Sequence, residues 1–238
     1  MGNRSRPVLV VLCDLSGHKG ELLIATSARQ ISLPRFYPIL DASCFARREL
    51  LLGAVDALIQ AGASILQYRD KSANTRAMLG NALNIGELRS RAELRHNLKL
   101  IMNDRADLAL AAEFDGVHVG QDDLSPESVR KIIGPERWLG VSTHNPQQVI
   151  AADKTSADYI AIGPVFATAS KTNPDPVIAL DGVRQARALT KKPLVAIGGI
   201  TRQNCRSVIE AGADSVAVIS DLVRDPGKSA EEFLRILG

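Results

Sequence analysis

The sequence predicts one (β/α)8 barrel with an N-terminal extension, and three observations carry that expectation. Short β-rich runs alternate with helix-patterned runs eight times. Runs such as "YIAIG" and "PLVAIG" are apolar on both faces, as parallel strands covered by helices must be. No Gly-x-Gly-x-x-Gly follows the first strand, which counts against a dinucleotide-binding doubly wound sheet. Eight units over roughly 200 residues match a closed barrel.

The units follow in order. "FYPILDA" precedes the helical run "RRELLLGAVDALIQAG", and "SILQYR" precedes a long helical stretch from about Thr75 to Arg95. "LKLIMN" pairs with "RADLALAAE", "GVHV" with "SPESVRKII", and "WLGVS" with "NPQQVIAADK". "YIAIG" pairs with "LDGVRQARALT", "PLVAIG" with "TRQNCRSVIEAG", and "SVAVIS" with "SAEEFLRIL". Ser125-Pro126, Asn145-Pro146 and Ser229 are expected helix starts, because a side-chain acceptor at the cap and proline in the first turn suit the free N–H groups there. Gly62 and Gly212 are expected helix stops.

Composition narrows the partners. The chain has 238 residues, 45% hydrophobic and 23% charged, as is ordinary for a globular protein. Its net charge of +3 is scattered, with no basic tract or aromatic-basic stripe, so nucleic acid is not an expected partner. Cys13, Cys44 and Cys205 are odd in number and far apart, which fits neither a disulfide framework nor a zinc site and sets a cytoplasmic location as the default. The apolar stretch Val8 to Cys13 is too short to span a membrane and stops at Asp14. Residues 1–33 are therefore read as an extension of unassigned role, and 34–238 as the barrel. A homo-oligomer is compatible with the sequence, which sets no oligomeric state.

Barrel chemistry gathers at the C-terminal ends of the strands. In "QYRDK" the side chains of Gln67, Arg69 and Lys71 share one strand face, and a buried face takes two cations only when something anionic meets them. The third strand ends in Asn103-Asp104-Arg105, the fourth in Gly120-Gln121-Asp122-Asp123, and the fifth carries Ser142 and His144. Asp104 and Asp123, from neighbouring strand ends beside a cationic strand, suit a magnesium ion shared with a polyphosphate. The plainer reading gives Asp104 and Asp122 or Asp123 to helix caps, and Arg69 and Lys71 to salt bridges with Asp104 or Asp123. Opposite, Gly198-Gly199 bare their backbone N–H groups before a helix expected near Thr201, with Ile219-Ser220 alongside, which suits phosphate. Tight turn geometry is the alternative there. His118, flanked by Val117 and Val119, reads as packed, and Cys205 as core. The long segment "GPVFATASKTNPDPVIALDG" carries Lys171, either a solvated lysine or a cation that swings onto an anion.

The motifs "QYRDK", "NDRADLAL", "DGVHVGQDDL", "GVSTHN", "GPVFATASK", "AIGGIT" and "GADSVAVIS" occur in the order seen in thiamine phosphate synthases, and the chain resembles that family from about Phe36 to its end. The resemblance implies a magnesium-dependent transferase of thiamine biosynthesis, joining hydroxymethylpyrimidine diphosphate to a thiazole phosphate, in its plain or carboxylated form, and releasing pyrophosphate. It implies that Gln67, Arg69, Lys71, Asn103, Ser142 and Lys171 hold the pyrimidine diphosphate, with Arg69, Lys71, Ser142 and Lys171 serving catalysis. Asp104 and Asp123 would hold magnesium. Thr168, Ser170, Gly199, Ile219 and Ser220 would meet the thiazole phosphate. Two departures stand out: Ala167 replaces the family's usual proline, and Ser170 its threonine. Rival readings are a thiazole tautomerase-like isomerase and a non-catalytic phosphate-sensing barrel. The first needs no magnesium-diphosphate half, and the second would be expected to have lost part of the charged set.

Overall fold

The computed structural model describes residues 31–72, 74–91, 98–168 and 175–238. Eight strands close into a barrel in sequence order. They are β1 (Phe36–Asp41), β2 (Ile65–Arg69), β3 (Lys99–Asn103), β4 (Gly116–Val119), β5 (Trp138–Thr143), β6 (Tyr159–Ile162), β7 (Leu194–Ile197) and β8 (Ser215–Val218). Each neighbouring pair is parallel, and β8 closes onto β1 with Val216 beside Phe36. The helices that return the chain are α1 (Arg48–Gln60), α2 (Thr75–Arg91), α3 (Ala106–Ala111), α4 (Pro126–Ile133), α5 (Pro146–Asp153), α6 (Ala179–Leu189), α7 (Cys205–Glu210) and α8 (Pro226–Leu237). Among the described residues no helix is long and apolar enough to cross a membrane.

Closure divides each strand between two cores. The outer one lies between strands and helices and includes Leu40, Leu66, Met102, Val117 and Phe233. There Phe36 stacks on Phe233 of α8, ring centroids 5.0 Å apart. Residues of the other parity point into the barrel: Tyr37, Ile39, Ile65, Ile101, Trp138, Tyr159, Ala161, Val195 and Ala217 form the inner core. Ile31 and Leu33 pack with this inner set, so the segment just ahead of β1 contributes to the barrel interior.

Two helix starts fall where the sequence reading put them. Ser125 accepts from Ser128 N, and Asn145 from Gln148 N. Ser229 does not start α8. It lies buried inside the helix and donates to the Asp221 carbonyl, while Asp225 caps the helix by accepting from Lys228 N. The signal was Asp225-Pro226, the same cap-proline pair as at the other two starts. The helix expected near Thr201 begins at Cys205, because Asn204 first ties a turn, accepting from Thr201 N and donating to the Gly199 carbonyl. The expected stretch beyond Arg91 lies outside the described residues. Gly62 and Gly212 follow their helices with φ of +91° and +110°, the left-handed region that suits glycine.

Gly140, on the inward face of β5, is glycine for steric reasons. A Cβ there would overlap the Tyr159 ring and His118 Nδ1. Gly140→Ala is expected to cost about 1–3 kcal/mol, as overpacking of a filled core does, measured as a lower urea midpoint with unchanged slope.

Candidate active site

The C-terminal strand ends surround a cavity of about 920 Å³. One wall, from β2 to β4, carries Gln67, Arg69, Lys71, Asn103, Asp104 and Asp123. Across the mouth, the ends of β7 and β8 present Gly198, Gly199, Ile219 and Ser220, and Ser142 and Thr168 also line the space. Every site residue expected from the sequence that falls among the described residues therefore reaches one cavity. Ser170 and Lys171 lie outside the described residues.

The two cations of "QYRDK" have different partners. Lys71 Nζ lies 2.5 Å from Asp104 Oδ2. Arg69 pairs instead with Asp41, which is only 4% exposed and ends β1. Asp41 also accepts from the Ser43 backbone N–H at 3.0 Å and hydroxyl at 2.6 Å. A buried carboxylate without partners is costly, so these three contacts both satisfy Asp41 and aim the guanidinium into the mouth. The sequence reading did not include Asp41. Its signal in the sequence is its place at the end of the first strand.

Asp104 is not a helix cap: α3 follows Arg105, and the Asp104 carboxylate turns to Lys71 instead. Its backbone sits at φ +63°, a left-handed conformation that aspartate tolerates better than most residues. Burial raises its pKa, the Lys71 hydrogen bond opposes that shift, and nearby Asp123 adds to it. Asp123 accepts from Gly120 N at 2.7 Å, while Ser125 takes the α4 cap. Two carboxylates of neighbouring strand ends thus lie side by side, with Lys71 paired to Asp104. That donor set fits magnesium, a hard cation that commonly takes one or two carboxylates and completes its shell with phosphate oxygens and water. Among the described residues no third carboxylate, histidine or cysteine joins them. Asn103 Nδ2 is buried on this wall without a hydrogen-bond partner among the described residues, a donor suited to a ligand oxygen.

The glycine wall serves both of its expected readings. Gly198 and Gly199 have φ of +104° and +62°. A Cβ on Gly199 would come within 2.5 Å of the Ala167 carbonyl, so bare backbone lets the chain after β6 pass close. Phe166 N donates to the Gly198 carbonyl there at 3.0 Å. The same missing side chains leave main chain facing the cavity.

His118 is buried, as expected of a packed histidine, and its ring lies between two partners. Nδ1 is 3.1 Å from the Tyr159 hydroxyl, and Nε2 is 2.9 Å from Ser142 Oγ. Burial pushes its pKa down to about 4, with Asp123 opposing the shift, so the ring is neutral at pH 7. His144 lines the rim and donates from Nδ1 to the Gly163 carbonyl at 2.7 Å. Cys205 is fully buried core.

A parallel barrel whose mouth sets a cation-carboxylate wall against a bare-backbone wall has the make-up of a small-molecule enzyme barrel suited to anions. The model of the thiamine monophosphate synthase family matches residues 36–222, and the chain belongs to that family. It is 55% identical over 213 residues to the thiamine-phosphate synthase of Koribacter versatilis (strain Ellin345), covering 88% of this chain and 99% of that one. The thiamine-phosphate synthase of Chloroflexus aurantiacus is 43% identical over 204 residues, covering 85% and 92%. In three dimensions, the thiamine phosphate pyrophosphorylase of Pyrococcus furiosus superposes with a TM-score of 0.74 at 33% identity, covering 85% of this chain and 95% of its own.

Asp104 yields a pH-dependent expectation. Its folded carboxyl is harder to ionise than the unfolded one, so raising the pH first releases the unfolded-state proton and weakens folding. That penalty is complete above the folded pKa and absent below the usual carboxylate value. Asp104→Asn removes the charge and keeps a residue suited to positive φ. Without divalent metal, the variant is expected to melt above the parent protein at neutral pH, the gap narrowing as pH falls toward about 4. Equal melting temperatures at both ends would contradict it.

Proposed function

We propose that this chain is a thiamine phosphate synthase, coupling hydroxymethylpyrimidine diphosphate to a thiazole phosphate with release of pyrophosphate. The observation that carries this is the pairing of two different anion-holding walls at one mouth. The β2–β4 wall suits a diphosphate, and the β7–β8 wall a monophosphate. A thiazole phosphate isomerase needs only the second wall, and the intact set Gln67, Arg69, Lys71, Asp104 and Asp123 speaks against it.

In this reaction the bond between the pyrimidine methylene carbon and the diphosphate oxygen breaks, and its electron pair leaves with the pyrophosphate. The thiazole nitrogen then gives its lone pair to that carbon, forming the new C–N bond. Charge builds on the leaving group, so donors aimed at it matter more than a nucleophile. Arg69, held by Asp41, and Lys71 would bind that oxygen-rich end, with the Asn103 amide as a further donor. Lys171 is assigned the same duty from the family resemblance. A magnesium ion held by Asp104 and Asp123 would supply additional positive charge at the diphosphate. Lys71 can exchange Asp104 for a phosphate oxygen of the diphosphate, which would free the Asp104 carboxylate to hold the ion. Thr168, Ser170, Gly199, Ile219 and Ser220 are assigned to the thiazole phosphate. Small-molecule biosynthetic chemistry and the odd, scattered cysteines support a cytoplasmic setting.

Incubating the protein with both substrates and magnesium is expected to yield thiamine phosphate and pyrophosphate in equal amounts, with little turnover in chelator. Isomerisation of the thiazole phosphate alone, without coupling, would overturn the assignment. Lys71→Ala and Asp123→Ala are each expected to lower kcat/KM by about 10²–10³-fold, the range for losing one group that stabilises developing charge. Circular dichroism should show both variants folded.

A further inference from the structure

The barrel interior holds five polar side chains in a continuous line along the cavity floor. Gln67 Nε2 donates to the Tyr37 hydroxyl at 3.0 Å. The Tyr37 and Tyr159 hydroxyls are 2.8 Å apart, Tyr159 meets His118 Nδ1, and His118 Nε2 meets Ser142 Oγ. Gln67, Tyr37, His118 and Ser142 line the cavity, and Tyr159 lies behind them. A core needing only volume would use phenylalanine, since apolar replacement of both partners of a hydrogen bond is nearly neutral for stability. Gly140 gives up its side chain to make room for the line.

The line has a direction. Tyr37 accepts from Gln67, and its own proton has Tyr159 as acceptor. Sending it elsewhere would leave a buried hydroxyl unpaired, which is costly. Tyr159 therefore donates to His118 Nδ1. A neutral imidazole whose Nδ1 accepts carries its proton on Nε2, and that N–H points at Ser142 Oγ. Ser142 is left with its own O–H to donate into the cavity, and Gln67 with its amide oxygen to accept there.

We infer that Tyr37, Tyr159 and His118 are positioning residues that fix this pattern, an acceptor at Gln67 and a donor at Ser142, and thereby select a ring edge bearing an amino group beside an unprotonated ring nitrogen. This inference rests on the synthase assignment, in which the pyrimidine takes this side of the cavity. A 4-aminopyrimidine presents that edge. The 4-oxo analogue presents the reverse, a carbonyl acceptor beside a ring N–H donor, and meets acceptor with acceptor and donor with donor. To accept it the whole line would have to reverse, including the Gln67 amide and the His118 tautomer.

Two measurements test this. ¹⁵N-histidine NMR of the ligand-free protein, with the His118 signals assigned by their absence in His118→Asn, is expected to show protonated Nε2 and bare Nδ1. A protonated Nδ1 with bare Nε2 would overturn the inference, whatever the enzyme catalyses. The second compares 4-amino and 4-oxo pyrimidine diphosphates as coupling substrates. The parent protein is expected to prefer the amino compound on the order of 10⁴-fold in kcat/KM, as sites that hydrogen-bond their substrate do. Tyr159→Phe should reduce that preference on the order of tenfold or more, chiefly through the KM of the amino compound, with the KM for thiazole phosphate unchanged. Tyr37→Phe should act in the same direction. Full preference retained in both variants would reduce the line to packing and overturn the proposal. Failure of the parent to couple either compound would instead overturn the synthase assignment, while the tautomer result still stands.

Discussion

Closing eight parallel strands into a ring leaves each strand no choice about which of its residues look inward, and the rest of this molecule depends on that parity. On β1 to β5 the inward residues nearest the strand ends are polar, Asp41, Arg69, Asn103, His118 and Ser142, whereas on β6 to β8 they are Ala161, Ile197 and Ala217. On β2 the inward sequence is Ile65, Gln67, Arg69, so one strand passes from packed core through a hydrogen-bonding floor to a charged rim. Tyr68, of the opposite parity, is buried toward α2, where Asn81 donates to its hydroxyl and the hydroxyl donates to Asp70. A one-residue slip would exchange these roles and place a guanidinium in the outer core.

The charges at the rim are paired before any ligand is present. Asp41 holds Arg69, and Asp104 holds Lys71, but the two pairs differ in permanence. The Asp41 carboxylate is buried and has two further donors, so it acts as a fixed mount. Lys71 is largely exposed, and its carboxylate partner also faces Asp123, so that pair is easily exchanged for phosphate and metal. One wall of the cavity thus combines a rigid cation with a releasable one. The glycine wall lacks such charges and relies on main chain brought close to the cavity by the absence of Cβ atoms.

Much of this was legible in the chain itself. The alternation of runs named the barrel, and strand-end residues named most of the rim, because both follow from local spacing. Ser229 reads as a helix start in the sequence because a serine within a helix resembles one before it. Its hydroxyl is satisfied by Asp221, eight residues back, a contact that spacing does not reveal. His118 was recognised as packed from its flanking valines, yet nothing local links it to Tyr37, Tyr159 or Ser142. Tyr37 and Tyr159 are separated by 122 positions and meet only because β1 and β6 face one another across the barrel.

By itself, the sequence determined the fold class, the order of the elements, and which residue types stand at each strand end. Those properties follow from periodicity and turn chemistry, which act over a few residues. Only the tertiary structure decided which carboxylate holds which cation, that Asp104 faces Asp123 rather than capping a helix, and that five polar side chains form one directed line. Each of these depends on distances between separate strands, and those distances exist only once the ring has closed.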